Sequence, residues 1–262
     1  MLGPLEMWIN GKPVRIGGRK AEKTLGALAI DTDNTMSFTQ LVDVLWDDEP
    51  PASAIRQVQN TVSALRRTLA GAGVDDADEV ITTVGRCYRL DRGRVAVDLD
   101  VARTWAAKAR TALATGDLVA AADYFRRTID VARGPALAGI GSHTLSAASL
   151  RLDEQHLGAC ELWADVELRL GRYREVIGEL TALVSQHPLR ERFVAQLMLA
   201  LHHTGRAAEA LDGYRRLRNR LSDEIGLDPG AELQDLHSAI LRGDVDLVPE
   251  SVTVLTGVDG RR

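Results

Sequence analysis

The chain has 262 residues, enough for two domains, and its 45% hydrophobic content gives each of them a core. Its apolar runs are a few residues long and interrupted by polar ones, which excludes a membrane span and a signal-peptide core and favours the cytoplasm. The formal net charge of −5 excludes a generally basic nucleic-acid binder: any cationic surface must be local. Cys87 and Cys160 stand apart without CxxC or Cys/His spacing, against both a disulfide framework and a zinc site.

In chain order, Leu5 to Ile9 and Val14 to Ile16 flank Asn10-Gly11, a pair that favours a tight hairpin turn, so the chain is expected to open as a small sheet. Arg19 to Ile30 places Ala21, Leu25, Leu28 and Ala29 at helical spacing, and Thr39 to Trp46 repeats the pattern. Asp47 to Ser53 (DDEPPAS) cannot stay helical through Pro50-Pro51, and Ser53 is placed to cap the next helix. That helix, Ala54 to Leu69, is the most informative stretch. Ile55, Val58, Val62, Leu65 and Leu69 step by three and four into one apolar stripe, while Arg56, Asn60, Ser63 and Arg67 fall opposite. No acid lies between Pro50 and Val74. Such a helix has the chemistry of a major-groove reader, where Arg suits guanine and Asn suits adenine; taken alone, the pattern favours a solvated amphipathic helix. After a break at Gly71 and Gly73, VITTVGRCYRL and RVAVDL are two β-branched runs around Gly85-Arg86 and Asp91 to Arg94, read as a closing hairpin or wing.

Met1 to Val97 holds twelve Lys and Arg against thirteen Asp and Glu, so a basic face must come from segregation. The basic clusters are Arg15-Arg19-Lys20-Lys23, Arg56-Arg66-Arg67 and Arg86-Arg89-Arg92-Arg94; the acidic ones are Asp43-Asp47-Asp48-Glu49 and Asp75-Asp76-Asp78-Glu79. Arg66 and Arg89 have no evident place in this scheme.

Sheet, three helices and hairpin in this order resemble the winged helix-turn-helix of response-regulator output domains. The likeness is carried by LGPLEMWINGKPV, the loop between Trp46 and Ser53, VSALRRTL and TTVGRCYRL. The resemblance implies that Arg56, Asn60, Ser63 and Arg67 enter the groove and that Thr82, Thr83 and Arg86 lie near the backbone. Cys87 stands where such domains commonly carry Gly before the wing tyrosine, here Tyr88.

From Asp98 onward Ala, Leu, Arg and Glu dominate and strand signals vanish, which divides the chain into an α+β domain over 1–97, an all-α domain over 98–243 and a flexible tail over 244–262. The whole is expected to be mainly α. Leu170-Gly171-Arg172 and Thr204-Gly205-Arg206 recur 34 residues apart, each between amphipathic stretches, as in tetratricopeptide-like helical repeats; Thr115-Gly116-Asp117 opens an earlier pair, and Asp228-Pro229-Gly230 starts a last helix. In the tail, Val252 to Leu255 has the pattern of an edge strand. Stacked helical pairs build surfaces for proteins, although such a domain also serves as a bare scaffold or dimerisation body.

Taken whole, Leu2 to Leu241 resembles the Streptomyces antibiotic regulatory protein (SARP) family of transcriptional activators. The second half is similar to its bacterial transcriptional activation domain through RGPAL, the Gly171-Arg172 turn, HPLRERFVAQLMLALHHTGRAAEALDGYRRLR and LSDEIGLDPGAELQDLHSAIL; the first half adds WDDEPPASA and the wing. Ala132 stands where members usually have Trp before RGPAL, and without a segment resembling the nucleotide-binding module of large members the chain is expected to be a small, stand-alone activator. The resemblance implies double-stranded DNA as partner, bound as a homodimer on promoter direct repeats, in the cytoplasm and on the nucleoid. It also implies contact with RNA polymerase through its sigma factor and alpha C-terminal domain, and control of antibiotic biosynthesis. Asp47, Asp48 and Glu49 form an acidic loop suited to a basic polymerase surface, or simply to solvation.

Nothing here points to an enzyme, cofactor or metal. Gly18 to Thr24 ends in Lys-Thr but lacks the glycine of a phosphate loop, and the six histidines show no HExxH spacing. The rival class is a tetratricopeptide-type adaptor whose winged domain does not bind DNA specifically, which leaves the first domain without a purpose.

Overall fold

The computed structural model describes residues 1–30 and 35–243. The tail, with the strand expected at Val252 to Leu255, lies outside the described residues. The chain begins with a two-stranded antiparallel sheet, β1 (Met7–Ile9) and β2 (Lys12–Val14). Asn10 and Gly11 join them with φ of 50° and 74°, the left-handed pair that a two-residue hairpin requires. Helix α1 (Arg19–Ile30) buries Ala21, Thr24, Ala27, Leu28 and Ala29. Strand β3 (Met36–Ser37) leads into α2 (Phe38–Trp46) through a capping box. The Gln40 N–H donates to Ser37 Oγ at 3.2 Å and the Ser37 N–H to Gln40 Oε1 at 2.8 Å.

Helix α3 (Ala54–Gly71) buries Ala54, Val58, Val62, Leu65 and Leu69. Two expectations fail at its start. Ile55 is 39% exposed and Ala54 takes its place inward, because in the first turn the buried stripe runs through 54, 58 and 62. Ser53 occupies the N-cap position without a side-chain cap: its hydroxyl accepts instead from Gln57 Nε2 at 3.0 Å. A short helix α4 (Ala77–Val80), unexpected from the sequence, precedes β4 (Ile81–Val84) and β5 (Cys87–Leu90). The sheet order is β3-β5-β4, all antiparallel, with Tyr88 opposite both Met36 and Thr83. RVAVDL forms no strand: Val95 donates its N–H back to Asp91, and Asp98 already opens the next helix. Cys87 is an ordinary strand residue paired with Ser37 and Val84, which needs no glycine.

The remainder is helical: α5 (Asp98–Ala114), α6 (Leu118–Asp130), α7 (His143–Arg169), α8 (Tyr173–Gln186), α9 (Glu191–His203), α10 (Ala207–Ile225) and α11 (Ala231–Arg242). The turns after α5, α7 and α9 share one hydrogen-bond pattern. Asp117, Arg172 and Arg206 donate to Ala112, Glu167 and Leu201, and Gly116, Gly171 and Gly205 donate to Leu113, Leu168 and His202. These bonds close a helix on a left-handed residue, and Gly171 and Gly205 supply it at φ of 73° and 77°.

Contacts divide the chain into a unit of Met1–Trp105 with Arg127–Leu157 and a second of Ala106–Arg126 with the residues from Gly158 on. The sequence boundary near Val97 follows composition; the compact units follow contacts. In the first unit Leu28, Leu41, Val44, Val58, Val62, Leu65 and Ile81 centre a core that also takes in Ala136, Leu137, Leu145 and Leu152. The RGPAL turn is held against the chain start: Arg133 and Leu137 donate their N–H groups to Leu2 and Met1 at 2.8 and 2.9 Å, and the Arg133 guanidinium pairs with Glu6. Ala132 packs partly buried on the same core. In the second unit Phe125, Phe193, Leu180, Met198 and Val166 are fully buried, and α8, α9 and α10 line an open groove of about 560 Å³ floored by Leu197, Met198, Leu201 and Leu217.

Candidate nucleic-acid interface

Arg56, Asn60, Ser63 and Arg67 step by four, three and four along α3 and are all exposed, opposite the buried stripe. Arg56 and Asn60 have no side-chain partner among the described residues; Arg67 reaches only the Ser63 carbonyl of its own helix, at 3.4 Å. Gln59 and Ile55, which the sequence does not single out for the groove, are exposed beside them. The start of α3 is fixed to α1: Lys20 Nζ donates to Gln57 Oε1 at 2.6 Å and sits 4.8 Å from the centre of the Trp46 ring. At its other end the helix closes through Val74 and Gly73, which donate to Leu69 and Ala70.

The hairpin brings Thr82, Thr83 and Arg86 together but gives them different work. Thr82 is half-buried and its hydroxyl donates to the Arg89 carbonyl at 3.4 Å. Thr83 Oγ1 accepts from Arg66 Nη2 at 3.0 Å. Arg86 lies at the tip; its carbonyl accepts from the Phe38 N–H at 3.0 Å while its guanidinium stands exposed between Gly85 and Cys87, beside exposed Val84. The base of the wing is buried through Tyr88, whose ring lies 5.0 Å from that of Phe38. Burial pushes the Tyr88 hydroxyl above its usual range, opposed by the neighbouring Arg66 charge, so the ring stays neutral.

The arginine clusters of the sequence separate in space. Arg92 is largely buried: it donates to the Ala29 carbonyl at 2.6 Å, at the end of α1, and pairs with Asp100 at 3.1 Å. Arg94 pairs with Glu79. Arg66, without an evident place in the sequence, lies between α3 and the wing, its Nε 3.1 Å from Asp78. Arg56, Arg67, Arg86 and Arg89 remain exposed. Local pairing of Arg66, Arg92 and Arg94 with Asp78, Asp100 and Glu79 leaves Arg56, Arg67, Arg86 and Arg89 as exposed cations without an acidic partner among the described residues.

The acidic loop divides as well. Asp47 is half-buried, and its carboxylate accepts the His143 N–H at 3.0 Å, at the first residue of α7, where the helix dipole favours an anion. Asp48 and Glu49 are exposed. No sequence signal marks Asp47 as a cap for a helix 96 positions away.

A model of the bacterial transcriptional activator domain matches residues 97–241. The regulatory protein DnrI of Streptomyces peucetius is 35% identical over 249 residues, covering 93% of this chain and 92% of DnrI. The chain belongs to the SARP family. Regulatory protein AfsR of Streptomyces coelicolor is 36% identical over 93% of this chain, which spans only 24% of AfsR. Among solved structures, Mycobacterium tuberculosis EmbR in complex with a low affinity phosphopeptide matches with a TM-score of 0.82 and 32% identity, covering 97% of this SARP chain and 69% of EmbR. Among the described residues, no helix of the SARP chain is long and apolar enough to cross a membrane.

Proposed function

We propose that the chain is a sequence-specific DNA-binding transcriptional activator, that two protomers bind direct repeats upstream of a promoter, and that the complex recruits RNA polymerase through its sigma factor and alpha C-terminal domain. The observation that carries this reading is the stripe Arg56-Asn60-Ser63-Arg67: two cations and an amide held exposed on a helix whose opposite face is locked in the core. The eleven steps from Arg56 to Arg67 cover roughly 16 Å, or about five base-pair steps, enough for one half-site. Arg56 and Arg67 suit guanine O6 and N7, Asn60 suits adenine N6 and N7, and Arg86 suits a phosphate beside the groove. Four exposed arginines give a small electrostatic contribution, so one protomer holds DNA weakly and a second on the adjacent repeat makes the complex stable. Asp48 and Glu49 offer the polymerase an anionic contact outside the groove, and the helical repeats offer it surface. Membership of the SARP family supports a role in the control of antibiotic or secondary-metabolite genes, in the cytoplasm on the nucleoid.

Footprinting of the purified protein on genomic fragments, with and without RNA polymerase, tests operator, spacing and partner together. The expected result is two protected direct repeats about one helical turn apart on one DNA face, lost as salt rises and extended by polymerase. Absence of protection on every fragment, with the fold intact, replaces this reading with that of a protein-binding adaptor.

A further inference from the structure

Arg66 is a cation on the DNA-reading helix that does not face DNA. Its Nε and Nη2 donate to the Ile81 carbonyl at 2.9 and 2.5 Å, Nη2 also donates to Thr83 Oγ1 at 3.0 Å, and Nε lies 3.1 Å from the Asp78 carboxylate. The guanidinium carbon stands 5.9 Å from the centre of the buried Tyr88 ring. One side chain thus engages the last turn before β4, the first and third residues of β4, and the partner strand β5. A planar guanidinium is the one side chain that can serve these acceptors at once, since lysine presents a point charge without the fork.

We infer that Arg66 is a positioning residue that sets the wing against the recognition helix and so decides whether Arg86 reaches phosphate while Arg67 is in the groove. This rests on the DNA-binding reading above. The geometry follows from the register: Thr83 lies three residues before Arg86 on the hairpin arm, and Arg67 adjoins Arg66 on α3, so the clamp lies between the two DNA-facing positions. Removing it leaves the groove residues on an unaltered helix and frees the hairpin arm. The expected defect is therefore confined to the backbone contact.

The test measures operator affinity of the full chain against salt for the wild type, Arg66→Lys, Arg66→Ala, Arg86→Ala and the Arg66→Ala/Arg86→Ala pair. Arg66→Ala is expected to weaken binding roughly tenfold and to flatten the salt dependence by about one unit, the signature of one lost phosphate contact, with base preference at each operator position unchanged. The double variant is expected to bind like either single one, because both remove the same contact. Arg66→Lys is expected to rescue little. Asp78→Asn and Thr83→Val, which leave the carbonyl bonds in place, provide milder variants should Arg66→Ala fail to fold, and each is expected to shift the salt slope in the same direction. Additive losses in the double variant, or an unchanged salt slope in every folded variant, overturn the inference. If the wild type itself shows no salt-dependent operator binding, the DNA-binding reading fails first and takes this one with it.

Discussion

Helix α3 and the β4–β5 hairpin carry arginines at similar density in the sequence, yet they spend them differently. On α3 the helical period separates a buried stripe from an exposed one, and Arg56 and Arg67 fall on the exposed side whatever packs beneath. Around the hairpin no period sorts the cations. Arg66, near the end of α3, and Arg92, just beyond β5, turn inward to carbonyls, and Arg94 pairs with Glu79 at the surface, while Arg86 and Arg89 stay outside. A run of like charges is therefore a solvent-facing surface only where local geometry forces it outward; elsewhere partners distant in sequence decide.

The comparison breaks most visibly if the exposed stripe is inert. Replacing Arg56 and Asn60 by Ala is expected to cost roughly 1 to 3 kcal/mol per lost bidentate contact, abolishing the specific footprint while circular dichroism stays unchanged. Retained footprints would make α3 a solvated helix and move the function to the adaptor. The next largest effect separates the two kinds of arginine. Arg92→Ala is expected to lower unfolding stability by about 1 to 3 kcal/mol, because it leaves the carbonyl of Ala29 without its donor, while part-exposed Asp100 keeps Arg103. Arg86→Ala is expected to leave stability unchanged and weaken DNA uniformly across sequences. Thermal unfolding and gel-shift titration read the two, and equal behaviour would erase the distinction.

Within the acidic loop the same division applies. Asp47→Ala removes the acceptor at the start of α7 and is expected to cost about 0.5 to 2 kcal/mol of stability. Charge reversal of Asp48 and Glu49 to Lys is expected to leave fold and operator binding intact and to reduce transcription in vitro with purified polymerase; undiminished transcription refutes the polymerase contact.

The smallest effect lies in the helical repeats. Burial first, then the charges of Arg215 and Arg218, hold His237 below the usual imidazole range, stacked 3.9 Å from Tyr214. Its folded value lies below the unfolded one of about 6.5, so this contribution to stability is complete above that value and is lost as pH falls through the folded value. Denaturant titration at stepwise lower pH should show the loss, and His237→Phe should flatten it.

Much of the fold was legible. The span Arg19 to Ile30 is helical to the residue, the Asn10-Gly11 turn joins two strands, and the three glycine turns of the repeats close helices as expected, because each depends on neighbours within a few positions. Local rules also misled. Ser53 is a good N-cap residue that does not cap, since Gln57 takes its hydroxyl, while Ser37 and Gln40 form a capping box at a site the sequence did not single out. RVAVDL is β-branched but has no strand to pair with, because β5 already has β3 and β4 on its two sides. In the candidate site, the helix residues were readable by period; of Thr82, Thr83 and Arg86, Arg86 alone is exposed with an uncommitted side chain, and Thr83 serves Arg66.

By itself the sequence determined the family, through the motifs it shares with SARP members, and the face of α3 that meets solvent, because helical period acts over a few residues. Only the tertiary structure decided which charges remain for a partner. Asp47 is spent on the N-terminus of α7, and Arg66 on the strand beside it, through contacts 96 and 15 residues apart. Such contacts depend on where the chain returns in space, and no spacing along the chain encodes that.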